Sequence, residues 1–138
     1  PYKIGEALPQ FPHLDNDLYM GGPVETQNLF FLHPYKDLKD TIRVAEDLYW
    51  NGDIYELRDM FELEFAKPDE VRFFLGYSGW AQGQLESEIE EKSWLIGKHN
   101  AAIIFDMADD DVVWRKSIEQ LGGDYENIAQ YPIDPRMN

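Results

Sequence analysis

At 138 residues, with 43% hydrophobic and 14% aromatic content, the chain carries enough apolar surface for one self-sufficient core and is too apolar to be a disordered tail. Its net charge of −15, from 27 acidic against 12 basic residues, sets up a field that repels phosphate backbones and anionic membranes, which argues against direct nucleic-acid binding. The absence of cysteine excludes disulfides, thiolate zinc, iron–sulfur ligation and cysteine nucleophiles and suits a reducing cytoplasm; no run approaches the roughly 18 apolar residues of a membrane span.

Residues 3–11 read as a short helix or turn closed by Pro9 and Pro12. Leu18, Tyr19 and Met20 form a short strand that runs into the tight connection Gly21, Gly22, Pro23. Leu29, Phe30, Phe31 and Leu32 are a continuous apolar run too short for a helix, as expected of a strand covered on both faces. Ile42, Val44, Leu48 and Trp50 share a period of two, which predicts one strand over 42–50 ending at the turn dipeptide Asn51-Gly52.

Asp53 is placed to cap a helix whose Glu56 occupies the capping-box position, with Ile54, Leu57, Met60, Phe61 and Phe65 on its apolar face and Pro68 beyond its end. Residues 71–75, Val-Arg-Phe-Phe-Leu, repeat the signature of a doubly covered strand, and residues 84–92 follow as a helix. Residues 94–96 and 101–105 read as further short strands, the second alternatively as the start of a turn. Asp109, Asp110 and Asp111 cap a last helix bearing Trp114, Ile118 and Leu121, stopped by Gly122; from Asp124 the chain is expected to trail as an extended segment that either frays or packs as an arm. The interleaving predicts a single domain over 1–138, a mixed sheet with helices packed on it.

The concentrated chemistry lies between the 71–75 strand and the helix after it, where Gly76, Tyr77, Gly79, Trp80, Gly83 and Gln84 are candidate ligand-binding or partner-binding residues. The spacing G-x-x-G-x-x-x-G matches neither the dinucleotide fingerprint nor the phosphate loop, and Glu86 and Glu88 repel phosphate from the helix start. A nucleic-acid-clamping KH loop has a similar glycine pair, but no basic residue flanks this one. Ser78 stands at a strand-to-helix elbow, but Trp80 occupies the second glycine position of a serine-hydrolase elbow, and His99 precedes Asp106, the reverse of the hydrolase order. His13, His33 and His99 lack two-histidine metal spacing, and Asp15-Asn16-Asp17 falls short of a calcium loop, so neither a metal nor a cofactor is expected. The remaining enzymatic or small-molecule reading pairs Gln84 as hydrogen-bonding group with His33 or His99 as acid–base.

Together these segments resemble the bacterial AlgH/YqgE family: Gly21-Gly22-Pro23-Val24, Leu29-Phe30-Phe31-Leu32-His33, Gly76-Tyr77-Ser78-Gly79-Trp80 with Gly83-Gln84-Leu85-Glu86 and Glu88, then Trp94, Phe105, Trp114 and Leu121-Gly122. The resemblance implies an α+β fold whose bent sheet closes toward a barrel-like shape, and a label of transcriptional regulator; it supplies no agreed activity and no catalytic residues. It also implies a further N-terminal segment, making this chain about the C-terminal two-thirds of the family's unit. The shortened sheet then has an exposed edge for that segment, another protein or a second copy of the chain to cover.

Overall fold

The computed structural model describes residues 2–106, 110–125, 127 and 128, and the chain divides into two compact units, Pro1–Gly83 and Gln84–Asn138. The first contains β1 (Tyr2–Lys3), α1 (Ile4–Ala7), β2 (Asp17–Met20), β3 (Val24–His33), β4 (Ile42–Ala45), β5 (Leu48–Trp50), α2 (Ile54–Glu62), a 3₁₀ turn (Pro68–Glu70) and β6 (Arg72–Tyr77). Among its described residues the second contains α3 (Gln84–Glu90), α4 (Ala101–Phe105), α5 (Asp110–Glu119) and a 3₁₀ turn (Gly123–Tyr125).

Among the described residues six strands make one mixed sheet in the order β1-β2-β6-β3-β5-β4. Strand β6 lies between β2, to which it is parallel, and β3, to which it is antiparallel. Phe73 at its centre is fully buried and lies 5.9 Å from the Phe31 ring and 6.4 Å from Phe11. Ile4, Leu18, Phe31, Leu38, Leu57, Ala66, Val71 and Phe73 form one core cluster, with Ile54, Met60 and Phe61 of α2 packed on it. Truncating a centre such as Phe73 to alanine typically costs about 3–5 kcal/mol. Asn16, itself buried, donates from Nδ2 to the carbonyls of Pro68 (2.7 Å) and Val71 (3.0 Å) and so fixes the entry to β6.

The mixed α+β architecture, the strands at 18–20, 29–32 and 71–75, and the helices after Asp53 and Gln84 agree with the sequence reading. Asp53 Oδ1 accepts from the backbone N–H of Tyr55 (2.9 Å) and Glu56 (3.1 Å), a cap of the kind worth about 1 kcal/mol. Glu56 does not return the capping box; its carboxylate accepts from Lys39 N–H at 3.0 Å and ties the helix start to the preceding loop. Phe65 is not on the apolar face of α2, which ends at Glu62, and it is 72% exposed.

Three further expectations are corrected. The sheet is open: the short strands β1 and β4 sit at opposite ends of the order and do not pair, so it does not close toward a barrel. Residues 42–50 form the hairpin β4–β5, with Asp47 turning through φ 55°, and Ile42 and Val44 are half exposed on the edge strand. Ala101–Phe105 is a helix because Asn100 accepts the Ile103 N–H and closes its first turn, while Trp94, Leu95 and Ile96 are in no strand. Gly122, at φ 63°, stands just past α5 as expected, whereas Asp109 of its supposed acidic cap and most of the extended arm fall outside the described residues.

Candidate functional site

The glycine turn begins at a backbone crossing. Strands β2 and β3 flank β6, so the link of Gly21, Gly22 and Pro23 between them has to pass over the chain where β6 ends. Gly21 N–H donates to Leu75 O at 2.8 Å and anchors the start of that passage. A Cβ on Gly22 would lie 2.2 Å from the Tyr77 carbonyl carbon, and one on Gly21 2.2 Å from Gly76 O. From the other chain, a Cβ on Gly76 would lie 2.5 Å from Gly22 O. All three contacts are with backbone, so no side-chain rotation relieves them, and only glycine permits the crossing.

Gly76 has a second role. Its φ of 70° interrupts the alternation of β6, so Tyr77 leaves the face of Phe73 and Leu75 and packs edge-on against Phe30 at 5.4 Å. Phe30 in turn stacks on Trp50 at 5.7 Å. Strand β3 absorbs the mismatch as a bulge, the register shifting between Val24 and Leu29.

Beyond Tyr77 the turn changes character. Residues 78–83 are exposed, and Trp80 is 39% exposed. A Cβ on Gly79 would meet only the Tyr77 ring, at 3.3 Å, and one on Gly83 would meet nothing within 4 Å; Gly83 is required instead by its φ of 78°. Gln84 opens α3 in the second unit, where its amide donates to Glu88 Oε1 at 2.9 Å, and the other oxygen of Glu88 accepts from Trp94 Nε1 at 2.8 Å. Gly76, Tyr77, Gly79, Trp80 and Gly83 are thus one continuous feature of the first unit, while Gln84 is tied within the second.

The histidines occupy other places. His33 is fully buried at the far end of the β3·β6 pair, beyond Leu32↔Arg72, whereas the turn adjoins Val24↔Tyr77. Tyr35 N–H donates to its Nδ1 at 3.1 Å, so the proton resides on Nε2, which donates to Asn51 O at 2.7 Å with Thr41 Oγ1 also 3.0 Å away. Burial lowers its pKa, the hydrogen bond to Asn51 opposing that shift. The rings of Phe31, Tyr35 and Tyr49 surround it at 5.4, 5.7 and 6.0 Å. Nearby, Tyr35 Oη donates to Glu70 at 2.5 Å and accepts from Lys67 N–H at 3.0 Å; burial, then this bond to Glu70, raises the phenol pKa.

His99 lines a recess of about 630 Å³ in the second unit with Lys98, Asn100 and Gln120. Lys3 Nζ pairs with Asp17 (2.7 Å) and Asp15 (3.6 Å), so the Asp15-Asn16-Asp17 run is taken up by an ion pair and a strand anchor. No cluster of three or more metal-ligating side chains occurs among the described residues. A feature absent from the sequence reading is a recess of about 600 Å³ in the first unit between loop 10–14 and the end of α2, lined by none of the six candidate residues.

An open, mixed α+β sheet with a strand inserted into a glycine crossing defines the class of fold. The chain belongs to the AlgH-like family: the family described as DUF179, AlgH-like, matches residues 1–126. A UPF0301 protein of Cytophaga hutchinsonii is 39% identical over 137 residues, covering 98% of this chain and 75% of that protein. One from Bacteroides thetaiotaomicron is 36% identical over 140 residues, covering 100% of this chain and 70% of that protein. Among solved structures, AlgH from Pseudomonas aeruginosa superposes with a TM-score of 0.66 at 27% identity, covering 96% of this chain and 73% of that one. Protein DIP2367 of Corynebacterium diphtheriae, at 20% identity and a TM-score of 0.65 over 94% of this chain and 70% of its own, shares the fold. These names record membership and assign no reaction.

Proposed function

We propose that the chain is a non-enzymatic regulatory or protein-interaction module of the cytoplasm, which presents loop 78–83 to a protein partner. The observation that carries this reading is the contrast within one turn: an exposed tip bearing Trp80 stands on a base fixed by backbone contact at Gly21, Gly22 and Gly76. A loop held on a rigid frame binds with little ordering cost, and tryptophan is a favoured anchor of protein interfaces. Any influence on transcription then runs through that partner, because a net charge of −15 opposes docking on DNA.

The test replaces Trp80 with alanine and compares the proteins captured from a bacterial lysate by the two chains, with thermal melting measured in parallel. Loss of a captured partner at an unchanged melting temperature supports the module. Identical capture reduces the tip to a structural turn, and retardation of DNA by the native chain in a low-salt gel shift replaces the indirect role with a direct one.

A further inference from the structure

The recess between loop 10–14 and the end of α2 has the dimensions of a small-molecule site. Its volume is about 600 Å³, within the range of roughly 300–1,000 Å³ usual for such sites. Its floor is apolar: Phe11 and Ala66 are buried, and Phe11 meets Phe61 edge-on at 6.4 Å, with Leu14 beside them. Its rim carries both signs of charge, from Lys67 and Arg58 on one hand and Glu62 and Glu64 on the other.

These charges are only partly compensated within the protein, the Glu62 carboxylate acting on the Arg58 guanidinium along α2. Arg58 is held by Asp59 at 2.8 Å, but no described residue lies within 4.0 Å of the Lys67 ammonium or of the Glu62 and Glu64 carboxylates as an ion-pair partner. Opposite charges kept apart around an apolar floor complement a ligand whose own charges are separated by an apolar body.

Glu64 also occupies a distinctive backbone position beside the recess. Helix α2 ends in a Schellman motif, with Glu64 N–H donating to Phe61 O (3.2 Å) and Phe65 N–H to Met60 O (2.8 Å). That motif puts Glu64 at φ 59°, the left-handed position where glycine is the low-strain residue. Replacing Glu64 by glycine would therefore relieve about 1 kcal/mol of backbone strain.

We propose that this recess binds a short zwitterionic peptide with an apolar side chain: the carboxylate at Lys67, the ammonium at Glu62 and Glu64, and the side chain on Phe11 and Phe61. The scale of the recess suits a di- or tripeptide.

The experiment titrates the ¹⁵N-labelled 138-residue chain with the dipeptide Leu-Phe and, separately, with N-acetyl-Leu-Phe-amide, which has the same side chains and neither charge. Saturable amide shifts confined to residues 10–14 and 58–68, with the capped peptide binding about tenfold more weakly, are expected. Lys67→Glu is expected to weaken Leu-Phe binding by a similar factor with the rest of the spectrum unmoved. Glu64→Gly separates binding from folding, since it should raise the melting temperature while lowering affinity. No saturable shift up to roughly 10 mM peptide, equal affinity for the capped form, or unchanged affinity in both variants overturns the proposal.

Discussion

The two ends of the β3·β6 pair are secured by different physics. At the Val24↔Tyr77 end, three glycines let one backbone cross another with no room for a methyl group. At the far end, His33 is held by hydrogen bonds to Asn51 and Tyr35 within a ring of aromatic side chains. One end fails on gaining a carbon atom, the other on gaining a proton. A steric joint is indifferent to solvent conditions and intolerant of mutation, while a buried titratable joint tolerates neither acid nor loss of its partners.

Three measurements sharpen that contrast. The largest effect is expected at Gly22→Ala, where the new Cβ meets Tyr77 C at 2.2 Å and Ser78 N at 2.5 Å. Either the β2–β3 link or β6 has to move, and urea denaturation should show a loss above about 4 kcal/mol, independent of pH. A stable Gly22→Ala chain of native fold would break the account of the crossing.

The next effect is a dependence on acid. Because burial depresses the His33 pKa below its ordinary 6.5, the unfolded chain binds a proton that the folded chain resists. The stability contributed is complete above pH 6.5 and is lost as pH falls from there through the folded value. Protonated Nδ1 would also face the Tyr35 N–H donor-to-donor. The urea midpoint should therefore fall between pH 7.5 and 5.0, and His33→Gln, though less stable throughout, should flatten that fall. An equal fall in both chains would remove the histidine from the explanation.

The smallest effects belong to the tip. Gly83→Ala introduces no contact within 4 Å and faces only the strain of a φ of 78°, so it should cost about 1 kcal/mol. A loss approaching that of Gly22→Ala would mean that the tip, too, is built into the core.

Much of the sheet was legible in the sequence. Leu29 to Leu32 is an apolar run too short for a helix, Val71 to Leu75 is one interrupted only by Arg72, and both lie in central strands. Asp53, by its capping carboxylate, and Gly122, by its left-handed backbone, mark helix ends through effects that operate over a few residues, so their reading needed no knowledge of the fold. The β4–β5 hairpin was hidden because its turn residues, Glu46 and Asp47, carry no glycine or proline, and the alternation of apolar residues continues across them. Helix α4 was hidden by its shortness and by the β-favouring Ile-Ile-Phe, against which its two alanines and the Asn100 cap were the counter-signals.

At the candidate site, the residues were legible and their division of labour was not. Gly21 and Gly76 lie far apart in sequence, and only the insertion of β6 between β2 and β3 makes their need for glycine the same need. The recess at Phe11, Phe61 and Lys67 was invisible for a related reason: a loop and a helix end contribute to it, and neither has a motif of its own.

The insertion of β6 also has a consequence for the order in which the chain acquires its structure. Strands β2 and β3 are neighbours in sequence and run in opposite directions, yet the seat between them belongs to a strand beginning at Arg72. During synthesis they emerge first, with Phe30 and Phe31 lacking the partners that β6 will supply. Pairing them directly, as an ordinary hairpin, is the available wrong turn, and it must be undone before the crossing can close. Folding of this unit is accordingly expected to wait on a long-range encounter rather than on local helix formation.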